Sequence, residues 1–109
     1  MNWATIRYRD FYDVPRIFIT AHDGAQYLFD CPFDDELDDY SDCYRVYQLP
    51  ALLEHELRGS WERLSDRAVA LVGSVPVDQV EFDQSKRKLV NTSVLDKLLT
   101  RDPRTSRVA

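Results

Sequence analysis

The chain has 109 residues, of which 44% are apolar and 30% charged, and its formal net charge is −5. That length predicts one domain with a single core and little room for a deep internal cleft, and the acidic balance disfavours general binding to a phosphate backbone. No apolar run approaches the ~20 residues of a membrane span, and residues 1–7 lack the apolar centre of a secretory signal, so the expected compartment is the cytoplasm and no membrane partner is expected.

Residues 3–9 alternate apolar and polar side chains and predict a short strand or extended arm. Residues 10–15 read as a turn, with Pro15 opening the next strand where a missing donor is tolerable. Residues 16–21 and 26–31 are dense in β-branched and aromatic side chains and predict two strands. Between them, His22, Asp23, Gly24 and Ala25 form a turn in which Gly24 takes positive φ at little steric cost. Pro32 ends the second strand. The run from Asp34 to Asp42 carries six carboxylates and no base, has neither strand nor helix period, and reads as a solvated loop. A third strand spans residues 43–49 and ends at Pro50. Most of the large apolar side chains fall between residues 11 and 49, where the core is expected to nucleate.

From residue 51 the period changes. Leu52, Leu53, Glu56 and Leu57 make a helical stripe, and Gly59 signals its end. Residues 60–64 link onward. Residues 65–72 read as helical at a start capped by Ser65 and extended at the end, broken by Gly73. Residues 75–82 alternate and predict a strand with Pro76 at an edge; residues 83–88 form a charged turn, and Leu89 and Val90 close a hairpin. Asn91 or Thr92 caps a short helix over residues 93–99. The domain is expected to span residues 1–100, and residues 101–109 to form a polar, flexible tail.

Candidate chemistry is sparse. The acidic run has alternating carboxylates of the kind that ligate calcium, but an EF-hand loop starting at Asp34 needs Gly at its sixth position and Glu at its twelfth, where Asp39 and Arg45 stand. The spacing therefore points to no metal site and to a loop that keeps the strand edges from aggregating. His22 and His55 lack a partner at a catalytic or metal-binding offset and read as surface residues. There is no G-x-S-x-G and no Gly-rich phosphate loop. Cys31 lies in an apolar strand, which favours an inert thiol. Cys31 and Cys43 flank the acidic run without a CxxC spacing; if the second and third strands pair as a hairpin they lie opposite each other, close in space and reduced. No enzymatic activity and no cofactor are expected.

Aromatic side chains crowd residues 11–47. Tyr44 and Tyr47 differ in parity, so a regular strand shows one ring on each face. One face serves as core; the ring on the other, with Tyr40 and the neighbouring Asp39 and Asp42, makes a candidate partner surface. Packing of rings across strands is the competing reading.

Phe11-Tyr12-Asp13-Val14-Pro15-Arg16-Ile17-Phe18, then Asp23-Gly24, Tyr27-Leu28, Tyr44-Arg45-Val46 and Gly59-Ser60 together resemble a group of small bacterial domains of unknown function. These have an aromatic-Tyr-Asp-x-Pro strand, a hairpin and a Leu-rich helix ending in Gly. The resemblance covers residues 11–65 and implies a small β-sheet domain with short helices and no assigned activity; the acidic loop here is longer than that pattern.

The expected fold is α+β: a bent antiparallel sheet of four to six strands, SH3-like or a partial barrel, with two or three short helices. The leading functional expectation is a non-enzymatic protein-interaction module with a protein partner of basic character, binding no nucleic acid and open to homo-oligomerisation. The alternative is an acidic inhibitor, of the toxin-immunity or nucleic-acid-mimic kind, that places the run from Asp34 to Asp42 in a basic site.

Overall fold

The computed structural model describes residues 3–100. Its centre is an antiparallel sheet of six strands: β1 (Trp3–Tyr8), β4 (Ile17–His22), β5 (Ala25–Asp30), β8 (Cys43–Leu49), β9 (Ala70–Pro76) and β10 (Leu89–Asn91). Their order is β10-β1-β4-β5-β8-β9. The sheet thus has two ends and is open, not a closed barrel. Two-residue strands pair in two small hairpins outside it: β2 (Phe11–Tyr12) with β3 (Val14–Pro15), and β6 (Phe33–Asp34) with β7 (Asp39–Tyr40). Helices α1 (Glu54–Arg58) and α2 (Ser93–Thr100) and two short 3-10 turns complete an α+β fold.

The strands form where β-branched and aromatic residues concentrate; the central β4 and β5 carry buried runs because both faces of the sheet are covered there, while β1 alternates exposed and half-buried side chains. On one face Phe18 stacks on its cross-strand partner Phe29 at 4.6 Å, and the Tyr44 ring stands edge-on to both. Val94, Leu95 and Leu98 of α2 belong to this cluster, with Val75, Val80 and Val90. On the other face Ile19, Leu28 and Leu49 pack with Leu57 of α1, Trp61 and Leu64. Trp61 comes from the segment read as a plain link. Its Nε1 donates to Leu57 O (3.0 Å), and the Arg9 guanidinium lies over its ring at 4.1 Å while donating to Leu57 O. These contacts fasten α1, too short to persist alone, to the sheet.

Turns follow local chemistry. Asp23 and Gly24 both take positive φ, 54° and 84°, in the two-residue loop joining β4 and β5, the dihedral pattern a tight hairpin requires. Gly73, read as a breaker, instead sits inside β9 at φ 154°, where the register with β8 shifts. The extra residue of a bulge lets the strand continue through the glycine. The strand expected over residues 75–82 is therefore not formed: β9 ends at Pro76, and Val77–Gln79 turn as a 3-10 helix. Phe82 returns to bridge Val90. Helix α1 is shorter than its apolar stripe, and Gly59 ends it at φ −82°, without the left-handed geometry. The expected tail at residues 101–109 lies outside the described residues. No helix among the described residues is long and apolar enough to cross a membrane.

Candidate functional site

The acidic run is a finger, not a plain loop. Phe33 pairs with Tyr40 and Asp34 with Asp39. Asp34 Oδ1 accepts the N–H groups of Glu36 (2.9 Å) and Leu37 (3.4 Å), and Asp38 turns the chain at φ 52°. Asp39 accepts the Tyr40 N–H at 2.7 Å. A carboxylate that bonds its own downstream backbone is a turn-former; Asp34 and Asp39, two of the six acids, fold the finger as well as charge it. At its base Ser41 N–H donates to Pro32 O (2.8 Å), and the buried Cys31 thiol donates to Ser41 O (2.9 Å).

Beside the finger, the β2–β3 hairpin holds Tyr12 against Tyr40. The two rings stack at 5.8 Å with an interplanar angle of 26°, and Phe33 stands edge-on to Tyr40 at 5.3 Å. Arg16 underpins them: its guanidinium lies 4.8 Å from the Tyr40 ring centre, its Nε donates to Tyr12 O (2.9 Å) and its Nη1 to Cys31 Sγ (3.5 Å). Tyr12 is 58% exposed and Phe33 50%, and Leu37 at the fingertip is 67% exposed. Two exposed rings therefore flank Tyr40, which is itself half-buried and packed against the first core cluster; adjoining exposed rings mark a candidate contact surface.

Two open grooves flank the finger. One, of about 680 Å³, runs past Phe33, Asp35, Glu36, Asp42 and Arg45. The other, of about 630 Å³, is bordered by Asp13, Asp39, Tyr40, Asp42, Asp78 and Phe82. Carboxylates around exposed rings suit a cationic head on an apolar stem, because the ring faces and the charges attract the same group.

Of the residues marked from the sequence, Asp39, Tyr40 and Asp42 come together here. Tyr44 and Tyr47 do not. Tyr44 is fully buried, its hydroxyl donating to Pro15 O at 2.7 Å, and burial raises its pKa. Tyr47 is half-buried on the opposite face, packed against the second core cluster. The expected outward ring on β8 is therefore not part of a patch: both sheet faces are covered, and the alternation puts one ring in each core. Tyr12 and Phe33 take their place. The signal for them was present: large rings in segments read as turns, where no ladder supplies a covering layer.

The cysteine register is also corrected. Gln26 pairs with Leu49 and Asp30 with Arg45, a register that carries Cys31 towards Tyr44, one residue from Cys43. Both thiols are free. Burial raises the Cys31 pKa against the opposing hydrogen bond from Arg16, which suits a structural thiol and not a nucleophile.

His22, read as a surface residue, is largely buried and bridges to the α2 region. Its Nδ1 is 3.0 Å from Thr92 Oγ1 and its Nε2 2.8 Å from Asp96 Oδ1. The sequence spacing concealed both partners, some 70 residues away. His55 is exposed on α1. Among the described residues no group of three or more His, Cys, Asp and Glu is placed to hold a metal ion. No family model, curated protein or solved structure matches the chain.

Proposed function

We propose that this chain is a non-enzymatic, cytoplasmic protein-interaction module whose docking site is the Tyr12–Phe33–Tyr40 platform with the carboxylates of the finger, and that its partner presents a basic segment. The carrying observation is the pair of exposed rings, Tyr12 and Phe33, set on half-buried Tyr40 at 5.8 and 5.3 Å between two grooves bordered by carboxylates. Exposed tyrosines offer a large contact area at low entropic cost, and the acids around them steer a cationic partner and keep the rings soluble. Selection of displayed random peptides on the full chain, with a Tyr12→Ser/Tyr40→Ser variant as counter-selection, tests the reading. Peptides rich in Lys and Arg that bind the wild type alone support it; peptides retained equally by both proteins, or none with a basic bias, overturn it.

A second reading is supported by the fingertip, where Asp35, Glu36, Leu37 and Asp38 are all exposed. An acidic inhibitor would enter a basic active site with this tip first. The two readings separate by substitution. Changing Asp35, Glu36 and Asp38 to their amides removes tip-first inhibition but only weakens ring-dependent peptide binding, whereas truncating Tyr12 and Phe33 removes peptide binding and spares inhibition.

A further inference from the structure

The two grooves beside the finger differ in what lines them. The one that runs past Phe33 is lined mainly by polar side chains: carboxylates, Ser41, Ser74 and Arg45. The one that runs past Tyr40 has an apolar floor of Val77, Val80 and Phe82. Val80 is buried in the first core cluster and the other two pack against that cluster, so the floor is in place before anything binds. Val77 N–H also donates to Asp42 O (2.9 Å), which ties the 3-10 turn to the base of the finger.

Carboxylates reach this floor from three segments: Asp13 in the β2–β3 turn, Asp39 and Asp42 on the finger, and Asp78 in the 3-10 turn. Asp39 is engaged with the Tyr40 N–H. Asp13 and Asp78 are exposed, and among the described residues their carboxylates receive no hydrogen bond and join no ion pair. Two bases border the same groove. Arg16 is committed to Tyr12 O, Cys31 Sγ and the Tyr40 ring, whereas Lys86 joins no ion pair among the described residues. Four carboxylates against two bases leave the groove in want of positive charge.

A small cation makes no use of the floor, and a purely apolar side chain leaves the carboxylates without a partner. A long cationic side chain answers both, because its methylenes cover apolar surface while its head stays among the charges. Resting on the docking site proposed above, we infer that this groove, and not its neighbour, anchors the partner through one Lys or Arg side chain. The stem lies on Val77 and Phe82, and the head pairs with Asp78, which adjoins the floor directly after Val77. The neighbouring groove contributes charge without a place for the stem. Lys86 opposes the incoming head and sets how tightly it is held.

Calorimetric titration of the tightest Lys- and Arg-rich peptide from the display selection tests this on the full chain. Replacing each of its bases in turn by Gln is expected to expose one dominant anchor, which binds whether it is remade as Lys or as Arg; the tighter of the two names the head the groove prefers. Asp78→Asn is expected to weaken the parent peptide about tenfold, the effect of one charge-assisted hydrogen bond, and to cost nothing further once the anchor is Gln. Diaminobutyrate at the anchor keeps the charge but removes two methylenes, and is also expected to lose about tenfold. Lys86→Gln is expected to tighten binding about threefold, whereas Arg45→Gln, in the other groove, stays within twofold. Asp78, Lys86 and Arg45 are all exposed, so the three variants are expected to melt with the wild type. An Asp78→Asn loss that persists with the Gln anchor, full affinity with diaminobutyrate, or a gain at Arg45→Gln in place of Lys86→Gln would overturn the inference and leave the docking site standing. A wild-type dimer dissolved by Asp78→Asn would give the groove to a second copy and overturn it as well. Absence of any basic peptide that binds the wild type would remove both.

Discussion

Tyr40 and Tyr44 are four residues apart, and both rings contact other aromatic rings, yet Tyr44 lies inside the core and Tyr40 at its margin, half-buried under two exposed rings. Tyr44 belongs to a strand paired on both sides, by β5 and β9, under a layer that includes α2; nothing of its side chain reaches water. Tyr40 belongs to a two-stranded finger at the margin of that core, half-buried against it and flanked by the exposed rings of Tyr12 and Phe33 and by the Arg16 guanidinium. The residue type is the same; the number of covering layers decides whether it holds the fold together or is available to a partner.

Substitutions at these rings should separate the two roles. Tyr44→Ala opens a ring-sized cavity beneath Phe18 and Phe29 and is expected to cost about 3–5 kcal/mol of stability, read by urea unfolding. Tyr44→Phe keeps the packing but removes the hydrogen bond to buried Pro15 O, at about 1–2 kcal/mol. By contrast Tyr12→Ala, at a ring 58% exposed, is expected to cost about 0.5 kcal/mol. A core-sized loss there would merge the two regions and break the comparison.

Carboxylates sharpen the same contrast through pH. Asp83 sits in the surface loop before β10, where its oxygens accept the N–H groups of Ser85, Lys88 and Leu89 and the Ser85 hydroxyl. These bonds, the Ser85 hydroxyl's first, hold its carboxyl well below the ordinary aspartate range. A depressed folded-state pKa stabilises fully above about pH 5 and less as acid protonates the group. Asp83→Asn should therefore unfold more easily than wild type at neutral pH, the two converging as the pH falls below 4. Asp30, half-buried on β5, runs the other way: burial raises its pKa, opposed in part by Arg45. Its contribution is best below the ordinary carboxylate pKa and is lost as pH rises through the folded value. Asp30→Asn is expected to match wild type near pH 3 and to gain on it towards neutrality.

The sequence was legible where local chemistry decides structure. The third strand of the reading, residues 43–49, coincides with β8; the Asp23-Gly24 turn and the start of α2 at Ser93 follow from dihedral preference and capping. It was illegible where partners are remote. The bulge at Gly73 looks like a stop until β8 is laid beside it. Trp61 has no periodic neighbours, and its place in the second core depends on Arg9, 52 positions earlier. At the candidate site, Asp39, Tyr40 and Asp42 were found from charge and aromatic density. Tyr12 was missed because its contact with Tyr40 crosses between two hairpins, and Tyr44 was misplaced because parity assigns a ring to a face without saying whether that face is covered.

The most direct measurement pairs stability with binding in one variant. Calorimetric titration of a selected Lys- and Arg-rich peptide into wild type and into Tyr12→Ala, with thermal melts of both proteins, reads both roles of the ring together. The expectation is an affinity at least tenfold weaker in the variant and melting temperatures within about 2 °C, given the small stability cost at an exposed ring. Equal affinities, or a melt that collapses with the ring removed, would contradict the claim that these side chains are held out for a partner.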